Sequence, residues 1–264
     1  MQTKKVSVGI IGAGHLGLSL AKTLIRNGYD SSSVRLSYTG KKETYARIKE
    51  AKLENNISSN DDICRASDII FITIRPSDIL SLSLLKFNSK SVIVSCIAGV
   101  TIDKLMRLTD QHIVRVMPSS PMTIEDGKGI CAIYPENKIV STLLSDLGVS
   151  LYPLSGESLF DIFTASICLP AAYLQMEIEK IRSSDLIVDL HREQIPWWEK
   201  VIGWTQSITP TDLTLAEKHT YIERMATKGG VTEAMIHSLK KGSGLIESFT
   251  AGVKKSEEIS RTLH

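Results

Sequence analysis

The pattern with the clearest chemistry is Gly12-Ala13-Gly14-His15-Leu16-Gly17, which follows the apolar run Val6-Ser7-Val8-Gly9-Ile10-Ile11. Three glycines at this spacing suit a phosphate-binding turn between a strand and a helix. Gly12 permits the tight turn, Gly14 lets the backbone approach a pyrophosphate, and Gly17 allows the helix to pack closely on the strand. The helix N-terminus beyond the turn offers unpaired N–H groups and a positive dipole end to the anion. Leu16, Leu20 and Leu24 recur at helical spacing, and Gly28 is placed to stop the helix. Glycine turns also serve as plain strand–helix connections, but these flanking elements favour a dinucleotide site. His15, after the second glycine, suits either a phosphate contact or a helix start.

The neighbourhood of the next strand bears on which dinucleotide is held. In NAD sites an acidic residue about 20 residues beyond the glycine turn holds the adenosine ribose. Here the segment reads Ser37-Tyr38-Thr39-Gly40-Lys41-Lys42, with no carboxylate before Glu43. The hydroxyl of Thr39 and the cation of Lys41 suit a 2′-phosphate, so NADP is predicted, with NAD left possible. Lysines such as Lys41 and Lys42 also solvate the start of a helix.

The remaining pattern supplies the elements that must position these groups. Val34–Tyr38, Asp68–Ile74, Ser91–Cys96, His112–Met117 and Ile130–Tyr134 read as strands, several of them apolar on both faces. Helical segments fit between them at Lys41–Leu53, Ile102–Leu108 and Lys138–Leu147. This alternation predicts an α/β fold, a Rossmann-type doubly wound parallel sheet with right-handed crossovers. After about Leu154 the strand signals fade. A long helix interrupted by Pro170 is expected over Leu159–Ile181, with further helices around Trp197–Trp204, Asp212–Met225, Thr232–Lys240 and Ile246–Thr262. The expected organisation is a dinucleotide-binding domain over residues 1–154 and an all-helical domain over residues 155–264.

Composition narrows the function classes. With 264 residues the chain can bury a large core, and a net charge of +2 with interspersed signs gives no reason to expect a nucleic-acid partner. Cys64, Cys96, Cys131 and Cys168 are scattered and form no CxxC pair, so reduced cysteines in a cytoplasmic protein are expected. The first strand follows within a few residues of Met1, which predicts no signal peptide. No segment reaches the roughly 18 consecutive apolar residues of a membrane span. His112, His191, His219 and His237 show no metal-ligand spacing.

Several segments taken together resemble the pyrroline-5-carboxylate reductase family. Beside the Gly12–Gly17 turn, Ile74-Arg75-Pro76 is similar to the family's Val-Lys-Pro, and Ser95-Cys96-Ile97-Ala98-Gly99-Val100-Thr101 to its Ser-x-Ala-Ala-Gly-Val-Thr. Val114-Arg115-Val116-Met117-Pro118-Ser119-Ser120-Pro121 resembles Val-Arg-Val-Met-Pro-Asn-Thr-Pro, and Thr227-Lys228-Gly229-Gly230-Val231-Thr232 resembles Ser-Pro-Gly-Gly-Thr-Thr. The resemblance runs from Val6 to about Thr262. It implies NADP-dependent reduction of 1-pyrroline-5-carboxylate to L-proline in a homodimer or larger homo-oligomer. It extends the cofactor rim from Gly12, Gly14, His15, Leu16, Gly17, Thr39 and Lys41 to Arg75, Pro76, Cys96, Met117 and Ser119. It departs from the family pattern at His15 and Ser119, each in place of asparagine, at Thr227-Lys228 in place of Ser-Pro, and most heavily where Ser-Gly-Ser-Gly-Pro-Ala-Tyr becomes Ile167-Cys168-Leu169-Pro170-Ala171-Ala172-Tyr173.

Reduction of an imine asks the protein mainly for orientation and electrostatics, because an iminium carbon is already electrophilic. A Gly-Gly turn at a helix N-terminus offers N–H groups to a carboxylate, and Gly229-Gly230 before Thr232–Lys240 fits that description. The resemblance implies that this loop holds the substrate carboxylate. Thr227, Gly229 and Gly230 are then anion-holding groups, and Thr232 is a hydrogen-bond donor or proton source. A plain interhelical turn with Thr232 near its cap is the simpler alternative. Trp197, Trp198 and Trp204 suit helix packing or a pocket lining.

Three further readings stand beside the first. The same chemistry could serve a different cyclic imine. The fold could instead belong to a nucleotide-binding regulatory protein without catalysis. A 3-hydroxyacid dehydrogenase fares worst, because Leu159 to Glu179 contains neither Gly nor Lys for its catalytic segment.

Overall fold

The computed structural model describes residues 6–181 and 195–262. The chain divides into two compact units, Met1–Glu157 and Ser158–Thr262. The first unit contains β1 (Val8–Ile11), β2 (Val34–Ser37), β3 (Ile69–Ile72), β4 (Val92–Ser95), β5 (Ile113–Pro118), β6 (Ile130–Tyr134) and β7 (Ser150–Pro153). They form one sheet in the order β2-β1-β3-β4-β5-β6-β7. Helices α1 (His15–Arg26), α2 (Lys42–Glu50), α3 (Asn60–Ala66), α4 (Ile102–Thr109), α5 (Pro121–Glu125) and α6 (Lys138–Asp146) connect the strands.

The expected Rossmann-type sheet is parallel from β2 through β5 and then reverses, with β6 antiparallel to β5 and β7 parallel to β6. Only residues 119–129 connect β5 to β6, short of the dozen or more residues that a parallel crossover needs. Strand β7 has no forerunner among the predicted strands. It lies at the sheet edge with half of its four residues exposed, so it lacks the apolar run that marks a central strand.

Alternate residues of the inner strands feed two cores. Val8, Ile10, Phe71, Val94 and Val116 pack with Leu20 and Leu24 of α1, whereas Ile70, Ile72 and Ile93 pack with Ile63 of α3 and Leu105 of α4. Burial on both faces explains the continuous apolar runs. The strand register sets Ser37, Ile11, Ile72 and Ser95 in one row across the carboxyl edge, from which the glycine turn leaves. Helix α1 stops at Arg26, and Gly28 follows with φ 90°, in the role its spacing predicts.

The described regular elements of the second unit are all helices: Leu159–Ser166, Leu169–Ile178, Trp198–Ile208, Leu215–Met225, Val231–Lys240 and Leu245–Thr262. The single helix expected over Leu159–Ile181 is two helices bent by 45° at Ile167-Cys168. Pro170 starts the second helix instead of interrupting the first, since a helix's first turn has no use for the missing N–H. No single described helix is long and apolar enough to cross a membrane, although this bent pair reaches that length and composition together. Trp197 and Trp198 are buried packing residues: Trp197 meets Phe163 edge-on at 5.2 Å, and Trp198 meets Phe249 at 5.4 Å. Trp204 is half-buried. All four cysteines are free and buried. His112, His219 and His237 are exposed, and His191 lies outside the described residues. Among the described residues no cluster of His, Cys, Asp and Glu could hold a metal ion.

Candidate functional site

The glycine turn is fixed by backbone bonds from both sides. Gly12, with φ 106°, donates its N–H to Ser37 O at 3.2 Å, and Ala13 donates to the same oxygen at 2.7 Å. Gly12 O accepts from Gly14 N at 2.8 Å and from the Thr73 hydroxyl at 2.6 Å. The three glycines then differ in what they allow. A Cβ on Gly17 would lie 2.2 Å from Gly12 O, so only glycine lets α1 pack this closely. A Cβ on Gly14 would meet nothing within 4 Å, so the protein itself does not require glycine there. Open space above a turn, beside a helix end that no side chain caps, is what an incoming phosphate needs. The first helical bond of α1 is Leu18 N to Gly14 O, at 3.0 Å. This geometry fits a dinucleotide. The Leu16 side chain packs against the core, so this residue has only its backbone to offer at the turn.

One residue beside the turn is absent from the sequence prediction. Arg47, on α2, brings Nη1 to 3.0 Å from His15 Nε2 and sets Nη2 3.4 Å from Thr44 Oγ1. A guanidinium stays protonated, so Nε2 accepts and the ring is the neutral tautomer bearing Nδ1–H. Burial, and then the charge of Arg47, hold the His15 pKa below its ordinary value. Arg47 also has a buried Nε without a hydrogen-bond partner. In sequence it reads as one more basic residue on a polar helix, and only the packing of α2 beside α1 reveals it. Thr39 and Lys41 are exposed beyond β2, and the Tyr38 and Tyr45 rings stack with centroids 6.1 Å apart.

The remaining rim residues fall into two groups. Arg75 is exposed where the 3₁₀ segment Pro76–Leu84 begins, and Pro76 is its first residue. Cys96 and Met117 are buried at the ends of their strands, and burial pushes the Cys96 thiol far above its ordinary pKa. Ser119 differs from the others. Its hydroxyl lies 2.7 Å from Thr123 Oγ1, accepts the Ile130 N–H at 3.0 Å, and is buried. It therefore closes the β5–β6 connection rather than presenting a donor. Below it in β5, the buried Arg115 pairs with Glu157 at 2.8 Å, and the same carboxylate oxygen accepts the Ile102 N–H that starts α4.

In the helical unit, Thr227 and Gly229 are exposed and Gly230 is half-buried. The Gly230 N–H folds back onto Thr227 O at 2.8 Å, which closes the turn. The Gly229 N–H is held by Glu233 Oε2 at 2.7 Å. Thr232 is buried and donates its hydroxyl to Cys168 Sγ at 3.1 Å, while that thiol lies 3.1 Å from Thr164 O. Burial raises the Cys168 pKa to about 11, so the sulfur is a neutral thiol at pH 7. The structure thus joins Thr232 to the stretch Ile167–Tyr173, which departs from the resembled family pattern.

Known proteins match both within the first unit and along nearly the whole chain. Residues 7–99 match the family described as NADP oxidoreductase, coenzyme F420-dependent. The pyrroline-5-carboxylate reductase of Arabidopsis thaliana is 24% identical over 97% of this chain and 96% of its own. That of Escherichia coli K12 is 24% identical over 97% of this chain and 98% of its own. A crystal structure of Plasmodium falciparum pyrroline carboxylate reductase with NADP bound shares the fold, with TM-score 0.62 and 21% identity over 98% of this chain and 100% of that one. With a nucleotide-binding oxidoreductase fold in its first unit, the chain is similar at low identity, along nearly its whole length, to pyrroline-5-carboxylate reductases.

Proposed function

We propose that the chain is an NADP-dependent oxidoreductase that reduces the C=N bond of a cyclic imine, with 1-pyrroline-5-carboxylate to L-proline as the first reaction to assay. The observation that carries this reading is the uncapped glycine turn with open space above Gly14. Full-length likeness to pyrroline-5-carboxylate reductases supplies the reaction class. When bound, the nicotinamide supplies a hydride to the imine carbon.

The chain's own residues bind and orient. Gly12, Gly14, His15, Leu16 and Gly17 form the turn for the pyrophosphate. Thr39, Lys41 and Arg47 lie near the end of β2, where a 2′-phosphate needs hydroxyls and positive charge. Arg75, Pro76, Cys96 and Met117 complete the proposed rim. Thr232 is the proposed catalytic residue. Its hydroxyl donates to Cys168 Sγ, which leaves its oxygen, in this reading, to accept the N–H of a protonated imine. Orienting that N–H also orients the electrophilic carbon. A homodimer is proposed for the helical unit, to be checked by sedimentation.

The test is NADPH oxidation with 1-pyrroline-5-carboxylate beside 1-pyrroline and larger cyclic imines. Turnover of 1-pyrroline-5-carboxylate supports the proline assignment, and NADPH binding without any turnover sinks the catalytic reading. One observation favours a different imine: the Gly229 N–H, proposed for the substrate carboxylate, already holds Glu233.

A further inference from the structure

Glu233 stands in the first turn of the helix Val231–Lys240, where a carboxylate is stabilised by the helix dipole. It reaches back over the turn to Gly229 N at 2.7 Å. The neighbouring donor, Gly230 N–H, is turned onto Thr227 O. Both N–H groups of the glycine pair are therefore taken, one of them by a carboxylate of the protein. The flanking residue Val231 is buried and offers no hydroxyl. Lys228 is exposed, and among the described residues no ion pair holds Glu233, so no described cation fixes the negative charge at the loop.

From this arrangement we infer that Glu233 is a specificity-determining residue, which places the protein's own carboxylate where an imino acid's carboxylate would sit. The loop then prefers a cyclic imine that carries no carboxylate at that position. The inference rests on Thr227–Thr232 being the substrate loop. An acid substrate must displace Glu233 from Gly229 and approach a like charge, and both costs are absent for a neutral or cationic ring. Because Glu233 is exposed, solvent screens the repulsion, and the discrimination amounts to about tenfold.

The experiment compares kcat/KM for 1-pyrroline-5-carboxylate and for 1-pyrroline in the wild type, Glu233→Gln and Glu233→Ala. Glutamine keeps an oxygen that can accept from Gly229 and removes only the charge, while alanine removes both. The ratio of acid to parent imine is expected to rise about fivefold in the glutamine variant and about tenfold in the alanine variant. An unchanged or falling ratio overturns the proposal. If the wild type reduces neither imine, the catalytic reading has failed, and calorimetry of the NADP⁺-loaded protein then decides the role of Glu233. A gain in L-proline affinity over pyrrolidine in Glu233→Gln supports it, and no gain overturns it.

Discussion

Arg47 of α2 donates to His15, the first residue of α1, across 3.0 Å, so a guanidinium is held beside the glycine turn by a residue of the turn itself. A charge in this place has little structural purpose. Its strongest internal contacts are a neutral imidazole and a long bond to Thr44. A phosphate would give it a full counter-charge and a bidentate partner. Replacement Arg47→Gln is therefore expected to weaken NADPH binding by about tenfold, the lower end of what a charge-assisted hydrogen bond contributes. Fluorescence titration with NADPH and NADH measures it. A loss confined to NADPH assigns the charge to the 2′-phosphate, and equal affinities in wild type and variant exclude Arg47 from the site.

The same pair sets a pH dependence. The His15 pKa lies below its ordinary value, first because the ring is partly buried and second because Arg47 is close. His15 is then neutral at pH 7 and takes up a proton only below the ordinary histidine range. The unfolded chain binds that proton at higher pH, so stability from this residue is present above pH 6.5 and falls as pH drops below it. Nuclear magnetic resonance titration of the His15 ring should find a midpoint below that of free histidine. In Arg47→Gln the midpoint should rise but not recover fully, because burial is the larger cause. A normal midpoint in the wild type would break the assignment.

Gly14 and Gly17 make opposite predictions although they belong to one motif. Gly17→Ala would set a Cβ against Gly12 O at 2.2 Å, so the helix must shift, at a cost of about 1–3 kcal/mol in stability. Gly14→Ala meets open space at φ −71°, where alanine is unstrained, and the protein should keep its Tm. The added methyl projects into the space left for phosphate, so NADPH affinity should fall by more than tenfold. Thermal unfolding read beside nucleotide titration separates the two. If Gly14→Ala binds NADPH normally, the open space above the turn is not the phosphate site.

These contrasts show what was legible in sequence. Ile10 and Phe71 announced buried strands because both faces of their strands are covered. The turn was legible because Gly12 and Gly17 answer local needs, a positive φ and a close helix contact. Strand β7 was not, because an edge strand with Ser150 and Pro153 exposed carries no apolar run. Ser119 lies in a segment that resembles a family motif, yet its hydroxyl bonds to Thr123 and to Ile130, the latter a partner that only the reversal of β6 brings near. Arg47 and Glu233 escaped for a shared reason. Each reads as a solvated charge on a helix, and its meaning lies in the direction its side chain takes across a turn.

Thr232 and Cys168 lie 64 residues apart in the chain, and their bond links the proposed catalytic hydroxyl to the stretch that departs from the family pattern. The thiol is neutral because burial raises its pKa to about 11. It can donate to Thr164 O while its sulfur accepts from Thr232. That relay fixes which way the threonine proton points. Removing the sulfur in Cys168→Ala frees the hydroxyl to rotate, and kcat should fall about tenfold while NADPH affinity stays put. Cys168→Ser keeps a donor and an acceptor in place and should restore most of the rate. Thr232→Ala should cost about a hundredfold in kcat, within the range for a group that orients or exchanges a proton with the reacting atoms. A merely structural role for Cys168 predicts a lower Tm with kcat unchanged. Stopped-flow rates read beside thermal unfolding of the three variants decide between the relay and simple packing.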